Sequence, residues 1–200
     1  MTKLVASIST HDALDARERI LYAARYRFAE QGFAASSVRV IAEEADVAKP
    51  MVFYYFESKA GLFDAVAQST IGELNRRYTA VFEGPRTSAF DALVALARAH
   101  RDVAINDSVS IRFLTRCVLG SGTPYGETLR RDHLSAIDHI LDAARDEGAV
   151  VRDREAARQL CRGALSIFYM DAVSGTHLSS ADPQQLAEML WRAIIALRET

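Results

Sequence analysis

The chain lacks most of the features that assign a protein to a special class. It has only two cysteines in 200 residues. Both Cys117 and Cys161 fall within apolar helical patterns, so no disulfide framework is indicated. No uncharged apolar stretch reaches the roughly 18 to 20 residues that a membrane-spanning helix needs. The first residues, MTKLVASISTHDALDA, also lack a basic segment followed by an apolar block. We therefore expect a cytoplasmic protein with reduced thiols and no membrane partner.

Sequence motifs for catalysis and metal binding are missing as well. The chain has no Gly-rich phosphate loop, no GxSxG motif and no HExxH motif. His133 and His139 point to different sides of a predicted helix, and no group of His and Cys residues has the spacing of a zinc site. We therefore expect no enzymatic activity, no metal site and no cofactor.

An excess of positive charge is the third absent feature. The formal net charge is −2, and residues 1–60 carry eight Lys and Arg residues against eight Asp and Glu residues. Bulk charge therefore does not indicate a nucleic-acid partner. Any binding to DNA depends on where particular groups are placed.

Helical periodicity is present almost throughout the chain. Apolar residues recur with a period of 3.6, and there is no sustained alternation and no Asn-Gly hairpin. Glycine, proline and capping residues divide the chain into about nine helices. The sequence therefore predicts an all-α protein with helices at roughly 16–31, 37–45, 49–56, 59–82, 88–105, 108–119, 124–147, 153–177 and 183–198.

The first three helices have the spacing of a helix-turn-helix unit packed on a supporting helix. Gly32 is expected to end the first helix, and Ser58 to cap the fourth. Asp46 occupies the sharp turn, where a short polar side chain tolerates the left-handed conformation. In such a unit the second short helix, here Lys49 to Phe56, is the one that enters a major groove of DNA.

This candidate recognition helix carries four consecutive aromatic residues, Phe53 to Phe56. Neighbouring residues of a helix point about 100° apart, so the four rings cannot share one face. The spacing predicts that Val52 and Phe56 face inward, with Phe53 at the edge of that face. Tyr54 and Tyr55 then face outward, where their hydroxyls can reach phosphate oxygens and their rings can contact sugar or a thymine methyl.

Two further helix N-termini place polar or basic groups near the same surface. Lys59 stands in the first turn of the fourth helix, and Ser37 and Arg39 stand at the start of the second. Orphan backbone N–H groups and the helix dipole favour phosphate at such ends. Each residue alone is better interpreted as ordinary surface, and only the set indicates DNA binding: Ser37, Arg39, Lys49, Tyr54, Tyr55 and Lys59.

Residues 16–66, about a quarter of the chain, resemble the DNA-binding domain of the TetR family of bacterial transcriptional regulators. The matching positions are Ile20, Ala24, Phe28, Gly32, Phe33, Ser37, Ile41, Ala42, Val47, Tyr54, Tyr55, Phe56, Ser58 and Lys59. The resemblance implies a three-helix DNA-binding head at 16–60, preceded by a flexible tail at 1–15. It also implies a larger helical effector-binding and dimerisation domain at 61–200, with the helix at 59–82 as connector.

Three positions depart from the family pattern. Asp46 stands where the family usually has Gly, Ala48 where it has a small polar cap, and Phe53 where it has Tyr. The first two imply some loss of local stability, and Phe53 removes a hydroxyl that often contacts phosphate. Met51 occupies a position that approaches bases, so its contact is expected to be apolar. The resemblance therefore adds Met51 and Phe53 to the candidate DNA-binding residues.

The last two helices are the candidate dimer surface. Two such hairpins can form an isologous four-helix bundle. The alternative is that part of each stripe packs within its own subunit. The residues predicted to form the interface are Leu160, Ala164, Phe168, Leu186, Leu190, Ile194 and Leu197.

A small-molecule pocket is expected elsewhere in the body, mostly apolar with a few hydrogen-bonding groups. For each candidate the alternative is an ordinary core residue. The candidates are His100, Phe113, Cys117, Tyr125, His133 and Tyr169.

Together these features predict a homodimeric repressor that binds a palindromic DNA operator and is released by a mostly apolar small-molecule effector. The alternative is a DNA-binding regulator without such an effector, either constitutive or controlled by a protein partner. An enzyme is the least supported class.

Overall fold

The computed structural model describes residues 15–83, 88–119, 124–174 and 181–196. Nearly all of these residues are helical. The α-helices are α1 (Ala16–Ala35), α2 (Val38–Glu44), α3 (Lys49–Phe56), α4 (Lys59–Thr79), α5 (Ala89–Asn106), α6 (Ser108–Phe113), α7 (Pro124–Asp146), α8 (Arg154–Leu165), α9 (Ile167–Ser174) and α10 (Pro183–Ile194). A 3-10 turn at Ala80–Phe82 extends α4, and a π-helical segment at Leu114–Leu119 extends α6. We refer to α1–α3 as the head and to α4–α10 as the body.

The predicted all-α fold is confirmed, with two local differences. The helix expected at 153–177 is divided at Ser166, whose hydroxyl donates to the Gly163 carbonyl at 2.6 Å. The last helix ends at Ile194, because the next two residues pair antiparallel with two residues that follow α7. The paired strands are β1 (Val150–Val151) and β2 (Ile195–Ala196).

The first helix is defined by a cap at its start and a kink near its end. The Asp15 carboxylate accepts a hydrogen bond from the Glu18 backbone N–H at 2.8 Å. Asp15 therefore belongs to the head and not to the tail predicted at 1–15, of which residues 1–14 lie outside the described part of the chain. Gly32, predicted to end the helix, has φ 78°, and helical hydrogen bonding resumes as far as Ala35. Only glycine adopts that backbone conformation without strain.

Arg19 holds the turn of the helix-turn-helix. Asp46 has φ 51°, the left-handed conformation that the sequence predicts. The Arg19 guanidinium donates to the Ala45 carbonyl at 3.0 Å and to the Asp46 carbonyl at 3.3 Å. Val47 is half-buried and packs against the core. The turn is therefore fastened to α1 by a residue that sequence reasoning did not identify.

The start of α4 lies very close to the end of α3. A Cβ atom built on Gly61 would stand 2.2 Å from the Phe56 carbonyl oxygen, closer than real contacts allow. Ser58 caps α4 as predicted, accepting from the Gly61 N–H at 3.0 Å. Glu57, between the two helices, has φ 62°. Glycine at 61 is therefore what permits the tight connection between the recognition helix and the body.

Head and body share one hydrophobic core. Helix α4 runs through both, with Phe63 buried beside the head and Leu74 buried in the body. The Phe63 ring packs against Phe28 of α1 and Phe113 of α6, with ring centroids 5.4 and 5.6 Å apart. Direct packing of aromatic rings therefore connects α6 to α1. Within the described ranges, no helix is long and apolar enough to cross a bilayer.

Candidate nucleic-acid interface and body cavity

The recognition helix α3 is anchored on one side and open on the other. Val52 and Phe56 are buried, as the helical period predicts, while the Tyr54 side chain is 77% exposed. Tyr55 and Phe53 are also exposed. The two tyrosine rings contact each other edge to face with centroids 5.2 Å apart. This pair forms an exposed aromatic surface that carries two hydroxyl groups.

Cations border this aromatic surface at both ends of α3. The Lys49 ammonium lies 5.8 Å from the centroid of the Phe53 ring, and the Arg17 guanidinium lies 5.4 Å from that of Phe56. Neither cation has a carboxylate partner within ion-pair distance in the described part of the chain. Arg17 was not identified from the sequence, since nothing near it indicates that the start of α1 lies beside the end of α3.

The remaining cations of the head are mostly paired. Arg27 forms an ion pair with Glu44, and the predicted DNA-binding residue Arg39 forms one with Glu43. An exposed pair of this kind contributes little to stability and can exchange a carboxylate for a phosphate. Arg39 therefore stays a candidate DNA-binding residue, although Glu43 neutralises its charge in this structure.

The two helix N-termini predicted to face DNA differ in their bonding. Ser37 is the N-cap residue of α2, and its exposed side chain makes no capping bond. Lys59 donates to the Ala34 carbonyl at 3.1 Å and lies 4.7 Å from the Phe33 ring centroid. The Lys59 ammonium therefore helps to join α4 to the end of α1, and only its remaining N–H donors are free for phosphate. Met51, on α3, is half-buried.

A cavity of about 240 Å³ lies inside the body. Helices α4, α6, α7, α8 and α9 all contribute to its walls, together with the π-helical segment. The lining residues are Leu74, Asn75, Tyr78, Ile111, Leu114, Thr115, Gly126, Leu129, His133, Arg162, Gly163, Ser166 and Tyr169. His133 and Tyr169 are thus on the wall as the sequence predicts, and most of the others were missed because they come from distant segments.

Three of the predicted pocket residues do not line this cavity. His100 and Phe113 are completely buried, His100 behind His133 and Phe113 in the aromatic cluster between head and body. Tyr125 is half-buried and forms a hydrogen bond with Asp64 on α4. Helical faces indicated correctly that His100 and Phe113 point inward, but not which neighbours they meet. The Cys117 side chain lies outside the described part of the structure.

A stack of histidine and tyrosine rings closes one side of the cavity. The His100 Nδ1 lies 2.8 Å from the Leu96 carbonyl oxygen, which can only accept, so Nδ1 carries the proton. Its Nε2 therefore accepts from the His133 Nε2–H at 3.1 Å. Burial, with a smaller contribution from the other ring, lowers the pKa of His100 to about 3. Burial and the nearby Arg162 charge lower the pKa of His133 to about 4.

Two tyrosines complete the stack. The Tyr78 ring lies parallel to the His100 ring with centroids 4.4 Å apart. The Tyr78 and Tyr169 hydroxyls are hydrogen-bonded to each other. Burial raises the pKa of both phenols above the usual value, so both are neutral. This side of the cavity is therefore polar but uncharged.

Arg162 is the only guanidinium among the lining residues. Its Nε and Nη2 atoms donate to the Gln159 side-chain oxygen at 3.1 and 2.7 Å. No described carboxylate lies within ion-pair distance of it. The sequence offered no signal for this residue, since arginine on a predicted surface helix is ordinary.

The cavity wall is physically continuous with the contacts that hold the head. Leu114 and Thr115 line the cavity, and the neighbouring Arg112 forms an ion pair with Glu30 of α1 at 2.9 Å. The Arg116 guanidinium donates to the Glu30 carbonyl at 2.6 Å. The segment between cavity and head is π-helical, a rare geometry that is often found at functional sites.

The predicted dimer residues divide between core and surface. Phe168, Leu190 and Ile194 are buried within their own subunit, which corrects their assignment to an interface. Each lies on the side of its helix that packs against other helices of the same chain. Leu160 is exposed, Ala164 and Leu186 are half-buried, and Leu197 lies outside the described residues. The apolar side chains left exposed on α8–α10 are Leu160, Ile167, Met170, Val173 and Met189.

These features define the class of the protein before any comparison. A helix-turn-helix with an outward aromatic recognition helix, joined to a helical body with an internal cavity, is the architecture of a DNA-binding transcriptional regulator. Residues 20–66 match the family described as bacterial regulatory proteins, tetR family. The head of the chain thus matches the TetR family of bacterial transcriptional regulators over these residues.

Comparison with individual proteins agrees with this family. The regulator AcrR of Shigella flexneri is 32% identical over 83 residues, an alignment that covers 40% of this chain and 39% of that relative. The chain thus matches about two fifths of the relative's length. FadR of Bacillus subtilis, solved in complex with stearoyl-CoA, is 21% identical with a TM-score of 0.72 over 86% of this chain and 96% of that one.

A second solved structure has the same fold. SmeT, the repressor of the SmeDEF multidrug efflux pump of Stenotrophomonas maltophilia, is 20% identical with a TM-score of 0.70 over 92% of this chain and 94% of that one. At these identities both structural likenesses concern the fold.

Proposed function

We propose that the protein is a homodimeric repressor whose two α3 helices read a palindromic operator, and that a small molecule in the body cavity releases it. Residues 16–60 form the DNA-binding head, and the chain from 61 onward forms the effector-binding and dimerising body. The observation that carries the proposal is the arrangement of α3, in which Val52 and Phe56 are buried while Tyr54 and Tyr55 face outward.

The residues around α3 have distinct roles in this proposal. Tyr54 and Tyr55 donate hydroxyl hydrogen bonds to phosphates, and Lys49 and Arg17 supply charge at the two ends of the helix. Met51 and Phe53 make apolar contacts to base and sugar. The unused hydroxyl of Ser37 and the free N–H donors of Lys59 hold phosphates beside the groove, with Arg39 as an exchangeable cation.

Dimerisation follows from both the head and the body. A single head contacts few base pairs, whereas two heads about 34 to 36 Å apart read successive major grooves. The exposed apolar side chains of α8–α10 give a surface through which two bodies can pair.

Effector release uses the connection between cavity and head. A ligand that fits one arrangement of Leu114 and Thr115 better than another shifts the equilibrium toward that arrangement. Arg112 and Arg116 carry the shift to Glu30 at the end of α1. The result is a changed separation of the two recognition helices. Binding of the ligand therefore weakens binding of the operator, and binding of the operator weakens binding of the ligand.

The test is selection of DNA from a random duplex library, followed by mobility-shift titration of the enriched sequence. We expect a palindrome with half-sites one helical turn apart, bound by two subunits. Enrichment of no sequence over the starting library would overturn the proposal. An operator complex that no body-binding compound dissociates would leave the regulator without a small-molecule effector.

A further inference from the structure

We propose that the body cavity binds a compact apolar molecule with one carboxylate, and that Arg162 is the residue that binds this carboxylate. The inference rests on the proposed role of the cavity as the effector site and adds the chemical class of the ligand. It is carried by the position of Arg162 on a wall that has no other charged side chain.

The charge of Arg162 is left uncompensated in this structure. Its two hydrogen bonds go to the neutral amide oxygen of Gln159. The Gln159 amide nitrogen is itself held by Glu155 at 2.6 Å, so the amide is oriented toward the guanidinium. A guanidinium partly removed from water without a counter-ion is costly, and a carboxylate ligand relieves that cost. The planar guanidinium also matches the two oxygens of a carboxylate.

Other polar groups around the cavity do not compete for this role. Burial and the nearby Arg162 charge lower the pKa of His133 to about 4, so it adds no second cation to the wall at neutral pH. The Asp132 carboxylate is engaged by Asn75 and Arg131 and does not line the cavity. The positive charge of Arg162 contributes to the low pKa of His133. The electrostatic field of Arg162 therefore reaches the cavity wall. An anion is thus attracted by one group and repelled by no lining carboxylate.

The rest of the wall determines the remainder of the ligand. Leucine and isoleucine side chains from α4, α6, the π segment and α7 supply apolar parts of the wall, with the Tyr78 and Tyr169 rings at one side. A volume of about 240 Å³ is at the low end of small-molecule cavities, which are typically about 300 to 1,000 Å³. The ligand is therefore small, with an apolar body and a single charged end.

The inference is tested with matched sets of compounds that differ only in charge. Each set consists of a carboxylic acid, its primary amide and the corresponding amine, built on octyl, cyclohexylpropyl and phenylpropyl groups. Binding to the full chain without DNA is measured by calorimetry and by thermal shift at neutral pH. We expect at least one acid to bind ten times more tightly than its amide, with the amine weakest.

Variants connect this preference to one side chain. Arg162→Gln should make the affinities for acid and amide nearly equal. Arg162→Lys keeps the positive charge and should retain part of the preference for the acid. The second variant keeps the test valid if the first does not fold. Arg98→Gln is the matched control, because it removes an exposed guanidinium of α5 that does not line the cavity. Its preference for the acid should equal that of the wild type.

Several outcomes would overturn the inference without touching the proposed function. These are equal affinity of acid and amide in the wild type, an acid preference that survives Arg162→Gln, or no binding by any acid. Operator binding by the ligand-free protein is measured separately. A neutral compound that releases the operator would keep the effector site and remove its anion preference.

Discussion

The Nε2 atoms of His100 and His133 lie 3.1 Å apart, with His133 as the donor and His100 as the acceptor. This polarity follows from the Leu96 carbonyl, which requires a proton on Nδ1 of His100. Protonation of His100 on Nε2 would place two N–H groups against each other. The hydrogen bond between α5 and α7 therefore requires a neutral His100, which is consistent with the low pKa of that ring.

Stability is expected to fall when the pH is lowered from about 6.5 toward 4. The folded-state pKa of His133 is about 4, below the unfolded value of 6.5. Between these values the unfolded chain binds the additional proton, so the stability present above pH 6.5 is lost as the pH falls. The loss attributable to His133 is on the order of 3 kcal/mol. It is measured as the free energy of unfolding in urea at several pH values.

The two histidines of α7 provide the comparison. His133→Asn should reduce the pH dependence between 6.5 and 4 and leave the part that His100 contributes. His139→Asn should leave it unchanged, since His139 is exposed. Equal slopes in the wild type and in His133→Asn would show that the buried pair does not control acid sensitivity.

Gly61→Ala is expected to destabilise the connection between α3 and α4. The added methyl group would stand 2.2 Å from the Phe56 carbonyl oxygen, so the backbone must shift. Overpacking of this kind costs roughly 1 to 3 kcal/mol. Gly72→Ala lies on the same helix with its nearest neighbour, an Arg76 nitrogen, at 3.7 Å. It should be neutral or stabilising by up to about 1 kcal/mol, because alanine favours the helix. Chemical denaturation of both variants checks this, and equal stability would contradict the close approach.

Tyr54→Phe is expected to weaken operator binding without changing the melting temperature. The substitution removes only a hydroxyl from a side chain that is 77% exposed. A lost hydrogen bond of roughly 0.5 to 1.5 kcal/mol in each subunit gives about 1 to 3 kcal/mol per dimer. Tyr22→Phe removes a hydroxyl from an exposed tyrosine of α1 and should bind like the wild type. Unchanged affinity in mobility-shift titrations of Tyr54→Phe would remove this hydroxyl from the interface.

Leu160→Glu is expected to dissociate the dimer and to reduce operator affinity. The side chain is exposed on α8 within the apolar surface assigned to the partner subunit, where a buried unpaired carboxylate is strongly unfavourable. Ile105→Glu introduces the same charge at an exposed apolar position of α5 outside that surface. Light scattering after gel filtration reports the mass of each variant. A Leu160→Glu dimer as stable as that of Ile105→Glu would place the interface elsewhere.

Local sequence was sufficient for the recognition helix. The 100° period places Val52 and Phe56 inside and Tyr54 outside because these directions depend only on the helix itself. The left-handed Asp46 and the Ser58 cap were predicted for the same reason, since both involve bonds or torsions within a few residues. The all-helical class also followed from periodicity alone.

Contacts between distant helices were decided only by the tertiary structure. The helical pattern showed that Phe113, His100 and Phe168 point inward, but it did not show what each one contacts. Phe113 packs between head and body, and His100 forms a hydrogen bond with His133. Phe168 is buried in the core. No sequence pattern indicated Arg162 or Arg17. The role proposed for Arg162 depends on the absence of a described carboxylate near it, and that of Arg17 depends on its position over the Phe56 ring. Periodicity determines which face of a helix is buried, whereas the packing of the whole chain determines what that face meets.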